Sequence, residues 1–442
     1  MTQLTFADVH GFCGGFAVGA VQAGMKLVAK VEDETAFGTS LMEANRVFLG
    51  SEWQAQAAPA QDWVPVRADV VLGTPPCTGF SLMSVGGKDR GVNASINHCM
   101  HDLVEYAAKI KPAPVAVLME SVAQAYTTGL PLMRALGQKL SDLTGHAYSV
   151  THVLQNNLST GGVTNRRRYF LVLSRVPFGV EVPEVTRLPV VADALMDLEE
   201  LDPTTWGEQA YPIPANWWNE HLRRADGQVD GHWTEYDNEW VRHLREEIVG
   251  GEHGVGWRWG DDVNATLRRY YEANGRLTDR WQRPYRGKLE GSRGKTLEEH
   301  LVAKDWETGG FSRSKMWRWD RPGYVITGAG YWGTWHPRNR LYTHREVARI
   351  MGFPDSYLIE GAKADKRLYA FWGKGTSVHP ARWLCEWVAK SVDGEPGSVR
   401  GTRLDEGDHL IDISNIWRPA ARAEFGSTLF NRSTDAREVV SV

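Results

Sequence analysis

The chain has 442 residues, a formal net charge of −4, 42% apolar residues and 24% charged residues. This length predicts two or three domains, and the balance of apolar and charged residues is that of a soluble globular protein rather than a disordered one. The near-neutral charge excludes a surface that is basic throughout, so any nucleic-acid-binding surface must be local.

The four cysteines are widely separated and have neither the CxxC nor the Cys/His spacing of a zinc site. We therefore expect a reducing compartment, no disulfide framework and no bound metal. The opening segment MTQLTFADVHGFCGG has neither the charged region nor the apolar run of a secretory signal, and no apolar run reaches membrane-spanning length. These observations predict a cytoplasmic protein without a membrane partner, and we expect a monomer.

Strand-like and helix-like segments alternate from the N-terminus to about residue 175. The predicted strands are 4–11, 26–33, 68–74, 115–121, 148–154 and 168–175. The predicted helices are 16–24, 35–48, 101–111 and 130–143. This alternation predicts an α/β fold with a doubly wound, mostly parallel sheet, to which the last strand is added antiparallel at an edge.

The composition changes after Pro177, where the chain becomes rich in Trp, Arg, Gly and Pro. Amphipathic helix patterns return at 343–352 and 380–392, and a polar tail then contains one strand-like patch at 409–414. We therefore predict four regions: 1–177, the first part of a core; 178–320, a smaller inserted domain; 321–392, the closing part of the core; and 393–442, a tail or small appendage.

One cysteine stands where a strand pattern ends. In VVLGTPPCTGFS, Cys77 follows the strand 68–74 and would be displayed at its carboxyl end, where such sheets bind ligands. The thiol is either a nucleophile, which needs exposure and positive charge nearby, or a small buried core residue. Glu120 ends the strand 115–121 and is expected at the same edge as Cys77.

Three further features could bind a ligand or could be structural. Gly14 and Gly15 after the first strand form either a tight turn or a backbone that a nucleotide-like cofactor can approach. Glu32 at the end of the second strand is either a ribose acceptor or a solvated charge. The arginines of NRRRYF (165–170) form either a solvated turn or a site that binds an anion or orients a base.

Seven segments, in this order, resemble the cytosine-5 methyltransferase family: DVHGFCGGF, VED, PPCTGFS, MESV, NRRRYF, THREVARIMGFPDSY and GTSVHP. The resemblance covers roughly 4–175 and 321–390, and the intervening insert takes the place of the family's target-recognition domain. It implies a Rossmann-like methyltransferase fold and double-stranded DNA as partner. It also implies a bacterial or phage-infected cell, with a place in the cytoplasm or at the nucleoid.

The resemblance implies S-adenosylmethionine as the methyl donor and a covalent mechanism on a flipped cytosine. Cys77 would attack C6 of the base, and Glu120 would bind N3 and the exocyclic amine. Arg166 and Arg168 would position the base and the neighbouring phosphate. The donor would be bound by Asp8, Gly14, Gly15, Phe16, Glu32, Thr376, Ser377 and Val378.

The sequence departs from the family pattern at several positions. Phe12 stands where the cofactor loop usually has glycine, and His10 where it usually has phenylalanine. Polar replacements also occur at Thr78, Ser121, Thr164 and Thr376. We interpret the chain as an active but divergent enzyme, and an altered donor preference is a further hypothesis.

Four further residues are predicted to contact the nucleic acid. Ser81 and Arg90 belong to the segment 81–97, which is either a loop that closes over the substrate or an ordinary surface loop. Ser81 either contacts a phosphate or caps a helix. Arg283 and Arg286 lie in the basic, aromatic-rich stretch 276–295, which suits phosphate contact and stacking but is also compatible with a solvated face.

Three other functions remain open at this point. A tRNA-directed enzyme of the same family would share the chemistry, although the long insert favours DNA. A degenerate, non-catalytic DNA-binding member is a second alternative. A nucleotide-binding dehydrogenase is a third, but it explains neither PPCTGFS nor NRRRYF. The sequence does not specify the recognised DNA sequence, nor a role in restriction–modification, phage protection or hypermodification.

Overall fold

A computed structural model describes residues 3–33, 37–81, 89–200, 242–256, 258, 263–279, 298, 315–326, 334–338, 342–359, 372–405 and 407–426. Nine strands of these residues form one mixed sheet in the order β10-β11-β6-β7-β5-β4-β1-β2-β3. The strands are β1 (Thr5–Val9), β2 (Lys26–Glu32), β3 (Gln54–Ala57), β4 (Val70–Gly73), β5 (Ala116–Val122), β6 (Ser149–Asn156), β7 (Arg167–Ser174), β10 (Thr402–Arg403) and β11 (His409–Asp412). A separate two-stranded sheet pairs β8 (Lys315–Met316) with β9 (Thr334–Trp335).

Strands β3, β2, β1, β4 and β5 run parallel, and β7 runs antiparallel to both of its neighbours, β5 and β6. The predicted α/β class with a mostly parallel sheet is therefore confirmed. The predicted edge position of the strand 168–175 is wrong, because β7 lies between β5 and β6 in the interior of the sheet. The sequence analysis missed β3, since QAQA lacks the β-branched and aromatic residues that favour strands.

Helices cover the sheet on both faces. They are α1 (Gly15–Gln22), α2 (Phe37–Ala44), α3 (Arg46–Leu49), α4 (His98–Lys109), α5 (Gln124–Thr144), α6 (Val191–Leu195), α7 (Val263–Asn274), α8 (His344–Ile350), α9 (Val378–Val392) and α10 (Arg418–Phe425). Short 3₁₀ segments occupy Ala60–Asp62, Gly91–Asn93, Ser95–Asn97, Asn157–Thr160 and Met196–Glu200, and a π-helical turn occupies Leu244–Val249. Among the described helices, none is both long and apolar enough to cross a bilayer.

Two apolar layers fill the space between the sheet and its helices. Helices α1, α8 and α9 pack in one layer, and α4 and α5 pack in the other. The strands β4 and β5 contribute to both layers, so their apolar runs are buried on both faces, as expected of central parallel strands. The segments that follow β4 and β5 therefore start from strands that are packed by helices on both faces of the sheet.

The segment after Asp393 joins the main sheet. Strand β11 pairs parallel with β6, and β10 pairs antiparallel with β11. The contact is reinforced by Asp408, whose Oδ2 lies 2.6 Å from Arg134 Nε and 3.0 Å from His152 Nε2. The other ring nitrogen of His152 lies 2.8 Å from the Tyr169 hydroxyl. This part of the predicted tail is thus packed against the core, whereas the domain boundaries themselves stay a prediction.

Candidate active site

Cys77 lies in the turn that follows β4. The backbone N–H of Phe80 donates to the Cys77 carbonyl at 3.0 Å, and that of Ser81 donates to Thr78 at 3.2 Å, so the segment turns back tightly after the two prolines. The Cys77 side chain is half-buried, and the backbone N–H of Val122 donates towards its sulfur. Because Val122 ends β5, this contact brings the thiol to the end of the strand that carries Glu120.

Glu120 is buried, and its Oε1 lies 2.9 Å from Arg168 Nε. Arg168 stands opposite Val122 in the pairing of β5 with β7, one step along the same face as Glu120. The structure therefore brings Cys77, Glu120 and Arg168 together. The sequence predicted the shared edge of Cys77 and Glu120, whereas a role for Arg168 beside them was implied only by the family resemblance.

The surroundings of Cys77 and Glu120 raise the pKa of both side chains and so favour their protonated forms. Burial raises the pKa of Glu120 above its ordinary value, although Arg168 and Arg166 act in the opposite direction. Burial also raises the pKa of the Cys77 thiol, and the neighbouring Glu120 carboxylate raises it further. A proton on Glu120 therefore favours the thiolate of Cys77, because it removes the negative charge that opposes ionisation.

Arg166 has a different environment from Arg168. Its guanidinium is fully buried and donates to the carbonyls of Ile326 at 2.6 Å, Gly375 at 2.7 Å and Gly373 at 3.0 Å. These contacts connect β7 to the closing part of the chain. Arg168 therefore lies beside Glu120, whereas Arg166 binds main-chain carbonyls of the segments that contain Ile326 and Gly375.

Residues near the N-terminus and residues 376–378 were both predicted to bind the donor, and the structure places them in contact. Gly15 lies so close to the Thr376 carbonyl that any side chain at position 15 would collide with it. The Thr376 hydroxyl lies 2.8 Å from that of Thr74, directly after β4. Ser377 accepts a hydrogen bond from Asn157 at 2.9 Å. Phe16 and Val378 are buried in the core around this junction.

A buried lysine joins Asp8 and Glu32, two further residues predicted to bind the donor. Lys30 Nζ lies 3.2 Å from Asp8 Oδ2 and forms a short ion pair with Glu32. The Phe12 backbone N–H also donates to Glu32, at 3.1 Å. The sequence analysis missed Lys30, although its position two residues before Glu32 in an apolar strand places both side chains on one face.

The turn after β1 is strained at two of the positions that depart from the family pattern. His10 has a φ of 55° and Phe12 a φ of 51°. This left-handed region favours glycine. The family's glycine at the position of Phe12 thus has a conformational reason, and here a phenylalanine adopts the same backbone.

A cavity of about 630 Å³ opens beyond the carboxyl ends of β1, β2 and β3. Its lining includes His10 and Asp33, which directly follow β1 and β2, and Trp63, which follows the 3₁₀ segment Ala60–Asp62. It also includes His98, Cys99 and Asp102 from α4. In the described chain, none of the residues predicted to bind the donor is among those lining it. Asp33, the residue after Glu32, was missed and presents a carboxylate there.

Of the predicted nucleic-acid contacts, only two fall on described residues. Arg90 Nη2 donates to the Ser81 carbonyl at 3.0 Å, so the two ends of the loop 81–90 are held together. Arg283 and Arg286 lie outside the described residues.

A family model described as C-5 cytosine-specific DNA methylase matches residues 4–388. The chain belongs to this family. Its curated relatives include the Type II methyltransferase M.DdeI of Desulfomicrobium norvegicum, which is 23% identical over 415 residues, covering 87% of this chain and 88% of the relative. M.HgiDI of Herpetosiphon aurantiacus, also a Type II methyltransferase, is 28% identical over 167 residues, or 37% of this chain and 50% of the relative.

Solved structures share the fold of this methylase. One belongs to an E. coli prophage protein assigned to the DNA modification methyltransferases, with a TM-score of 0.52, 17% identity and coverage of 88% of this chain and 100% of that chain. Another is the methyltransferase EhMeth of Entamoeba histolytica, with a TM-score of 0.50, 12% identity and coverage of 89% and 99%. The family resemblance and the methyltransferase fold are thereby confirmed, and the family depends on S-adenosylmethionine. The roles of individual residues stay predictions.

Proposed function

We propose that this methylase transfers a methyl group from S-adenosylmethionine to C5 of cytosine in duplex DNA through a covalent bond between Cys77 and C6. One observation carries the proposal. A partly buried thiol lies at the carboxyl end of a central strand, next to a buried carboxyl group that is paired with an arginine.

The chemistry requires a nucleophile because C5 of cytosine is too electron-poor to accept a methyl group directly. When the Cys77 sulfur bonds to C6, the electron pair of the C5–C6 double bond becomes available at C5. Glu120 would donate its proton to N3 as negative charge develops on the ring, which its raised pKa favours. Loss of the C5 proton after methylation would then restore the double bond and expel the thiolate.

Arg168 fits the role of a positioning group for Glu120 and the base. Its guanidinium holds Glu120 at 2.9 Å and is itself partly exposed. Arg166 would stabilise the surrounding main chain, since its N–H groups donate hydrogen bonds to three main-chain carbonyls. A cytosine in duplex DNA must also leave the base stack, at a cost of about a few kcal/mol.

The residues present fit S-adenosylmethionine, which supplies an electrophilic methyl group when bound. The cavity beyond β1, β2 and β3 has the volume of a nucleoside site, with an indole in its wall and the Asp33 carboxylate as an acceptor for ribose hydroxyls. Glu32 would orient the preceding turn through the Phe12 N–H. We further propose that the insert 178–320 recognises the target, in the place where the family has that domain.

Methyl transfer from labelled S-adenosylmethionine tests the substrate, with duplex DNA and tRNA compared and Cys77→Ser as the matched control. We expect transfer to DNA by the wild type and none by the variant. Transfer to tRNA alone would reassign the substrate to RNA. No transfer to either above the control would contradict the proposal.

The covalent step has its own test. In duplex DNA that contains 5-fluorocytosine, C5 carries fluorine in place of hydrogen. After methyl transfer from added S-adenosylmethionine no proton can leave C5, so the enzyme should remain bonded to the DNA after denaturation. We expect this adduct with the wild type and with Glu120→Gln at a lower rate, but not with Cys77→Ser. Methylation without such an adduct would exclude the proposed Cys77–C6 bond.

A further inference from the structure

The first turns of α4 bring three metal-ligating side chains together on the wall of the cavity. His98, Cys99 and Asp102 each offer one ligand atom, and these atoms lie within 4.8 Å of one another. His98 is exposed, Asp102 is partly exposed and Cys99 is buried. The sequence analysis predicted no metal because it considered paired cysteine and histidine spacings, whereas this set has the spacing i, i+1, i+4.

His98 is already oriented as a metal ligand. Its Nδ1 lies 2.8 Å from the Ser95 carbonyl, which can only accept, so Nδ1 must carry the hydrogen. In the neutral ring, Nε2 therefore presents its lone pair. A ligating histidine is commonly fixed in this way by a hydrogen bond from its second nitrogen to a carbonyl group.

The distance between the sulfur and the nitrogen also fits. His98 Nε2 lies 3.4 Å from Cys99 Sγ. Two such ligands on a tetrahedral zinc ion, with bonds of about 2.3 Å to sulfur and 2.0–2.1 Å to nitrogen, are separated by about 3.6 Å. Without metal, this separation allows the Cys99 thiol to donate a hydrogen bond to Nε2.

We propose that His98 Nε2, Cys99 Sγ and a carboxylate oxygen of Asp102 bind one borderline transition-metal ion, represented by Zn²⁺. This ligand set combines a thiolate, an imidazole and a carboxylate, which together suit zinc and cobalt rather than magnesium or calcium. Three protein ligands leave a fourth position open towards the cavity. On binding, the S–H bond breaks, a sulfur–metal bond forms, and the proton passes to the solvent.

Metal binding would also affect the donor, and this consequence rests on the proposed function. If the cavity holds the adenosyl part of S-adenosylmethionine, an ion on its wall would lie beside the donor and weaken its binding without excluding it. We expect saturating Zn²⁺ to weaken donor binding about tenfold, within the usual range of coupling between two ligands.

Cobalt titration of the chelator-treated, full-length protein tests the site directly. Bound Co²⁺ should give a near-ultraviolet band for sulfur coordination and visible bands for tetrahedral geometry. We expect one ion per chain, the loss of the sulfur band in Cys99→Ser, and affinity at least about tenfold lower in Asp102→Asn and His98→Gln. Cys77→Ser and the exposed-histidine variant His146→Gln should retain wild-type spectra, and circular dichroism would verify that each variant folds.

Absence of a sulfur–cobalt band in the folded wild type, or a band that persists in Cys99→Ser, would overturn the metal site. Equilibrium dialysis with S-adenosylmethionine separates this outcome from a failure of the proposed function. A protein that binds cobalt through Cys99 but does not bind the donor would retain the metal site and lose the proposed function.

Discussion

At the residue scale, the reactivity of Cys77 depends on the charge of one neighbour. Burial and the Glu120 carboxylate both raise the pKa of the thiol from its ordinary value of 9.0, whereas Arg168 and Arg166 lower it. The thiolate therefore forms most readily when Glu120 is protonated. In the proposed mechanism the same proton passes to N3 of cytosine, so nucleophile and acid would be activated together.

Glu120→Gln should separate these two roles. Removal of the carboxylate charge lowers the pKa of Cys77, so alkylation of the thiol should begin at lower pH than in the wild type. Methyl transfer should instead fall by about 10²–10⁴-fold, because the acid is lost. Iodoacetamide labelling of Cys77 between about pH 7 and pH 10, together with methylation assays, would measure both.

The exposed carboxylate variant Glu52→Gln serves as the control for this experiment, since Glu52 pairs with Lys26 at the surface. It should leave both profiles unchanged. An alkylation profile in Glu120→Gln that stays at the wild-type pH, or moves higher, would contradict the electrostatic coupling.

At the element scale, β7 connects the two parts of the core. It pairs with β5 and β6 along its full length, and Arg166 just before it donates to three carbonyls of the closing part. The Thr74–Thr376 hydrogen bond joins the same closing part to the end of β4. The segment just before Cys77 and the start of β7 are thus both held by contacts with residues more than 150 positions away.

Arg166→Met should leave these buried carbonyls without donors. We expect a loss on the order of 3 kcal/mol in the free energy of unfolding, because each unsatisfied buried acceptor costs about 1–3 kcal/mol. The neighbouring exposed Arg167 makes only a 3.7 Å ion pair with Asp412, so Arg167→Met should change stability by less than about 1 kcal/mol. Urea denaturation of both variants would check this, and equal losses would contradict a bracing role for Arg166.

At the scale of the whole molecule, the C-terminal strand completes the sheet. Asp408 is buried between Arg134 and His152, and β11 covers what would otherwise be the exposed edge of β6. Ile411 and Ile413 add to the same apolar layer as α1 and α9. We therefore expect β11 to unfold together with the core.

Asp408→Asn should lower the midpoint of thermal unfolding of the entire protein. The change removes a buried charge and leaves the Arg134 guanidinium without its partner, which costs about 3–5 kcal/mol for a buried pair and less here because Arg134 is partly exposed. Calorimetry should show one shifted transition, with Asp405→Asn on the exposed side of the turn as control. If amide exchange rose only in 409–412 while the main transition stayed in place, the strand would be an independent appendage.

The sequence predicted those features that depend on local pattern. Strands β1, β2, β4 and β5 are apolar runs between turn residues, and they occur where the pattern placed them. Cys77 and Glu120 also lie at one edge as predicted, since each comes at or beside the end of a neighbouring strand in the sheet, and Arg168 joins them there. The position of β7, by contrast, was predicted wrongly, because a strand's sequence does not reveal how many neighbours it has.

The order of the motifs and the periodicity of the strands by themselves determined the fold class, the family and the edge of the sheet that Cys77 and Glu120 share. Only the tertiary structure decided that Lys30 joins Asp8 and Glu32, that Arg166 holds the closing part, and that the C-terminal strand completes the sheet. These features arise from contacts between segments distant in the chain. Their energies depend on burial and on distances of a few ångströms, which no local sequence pattern specifies.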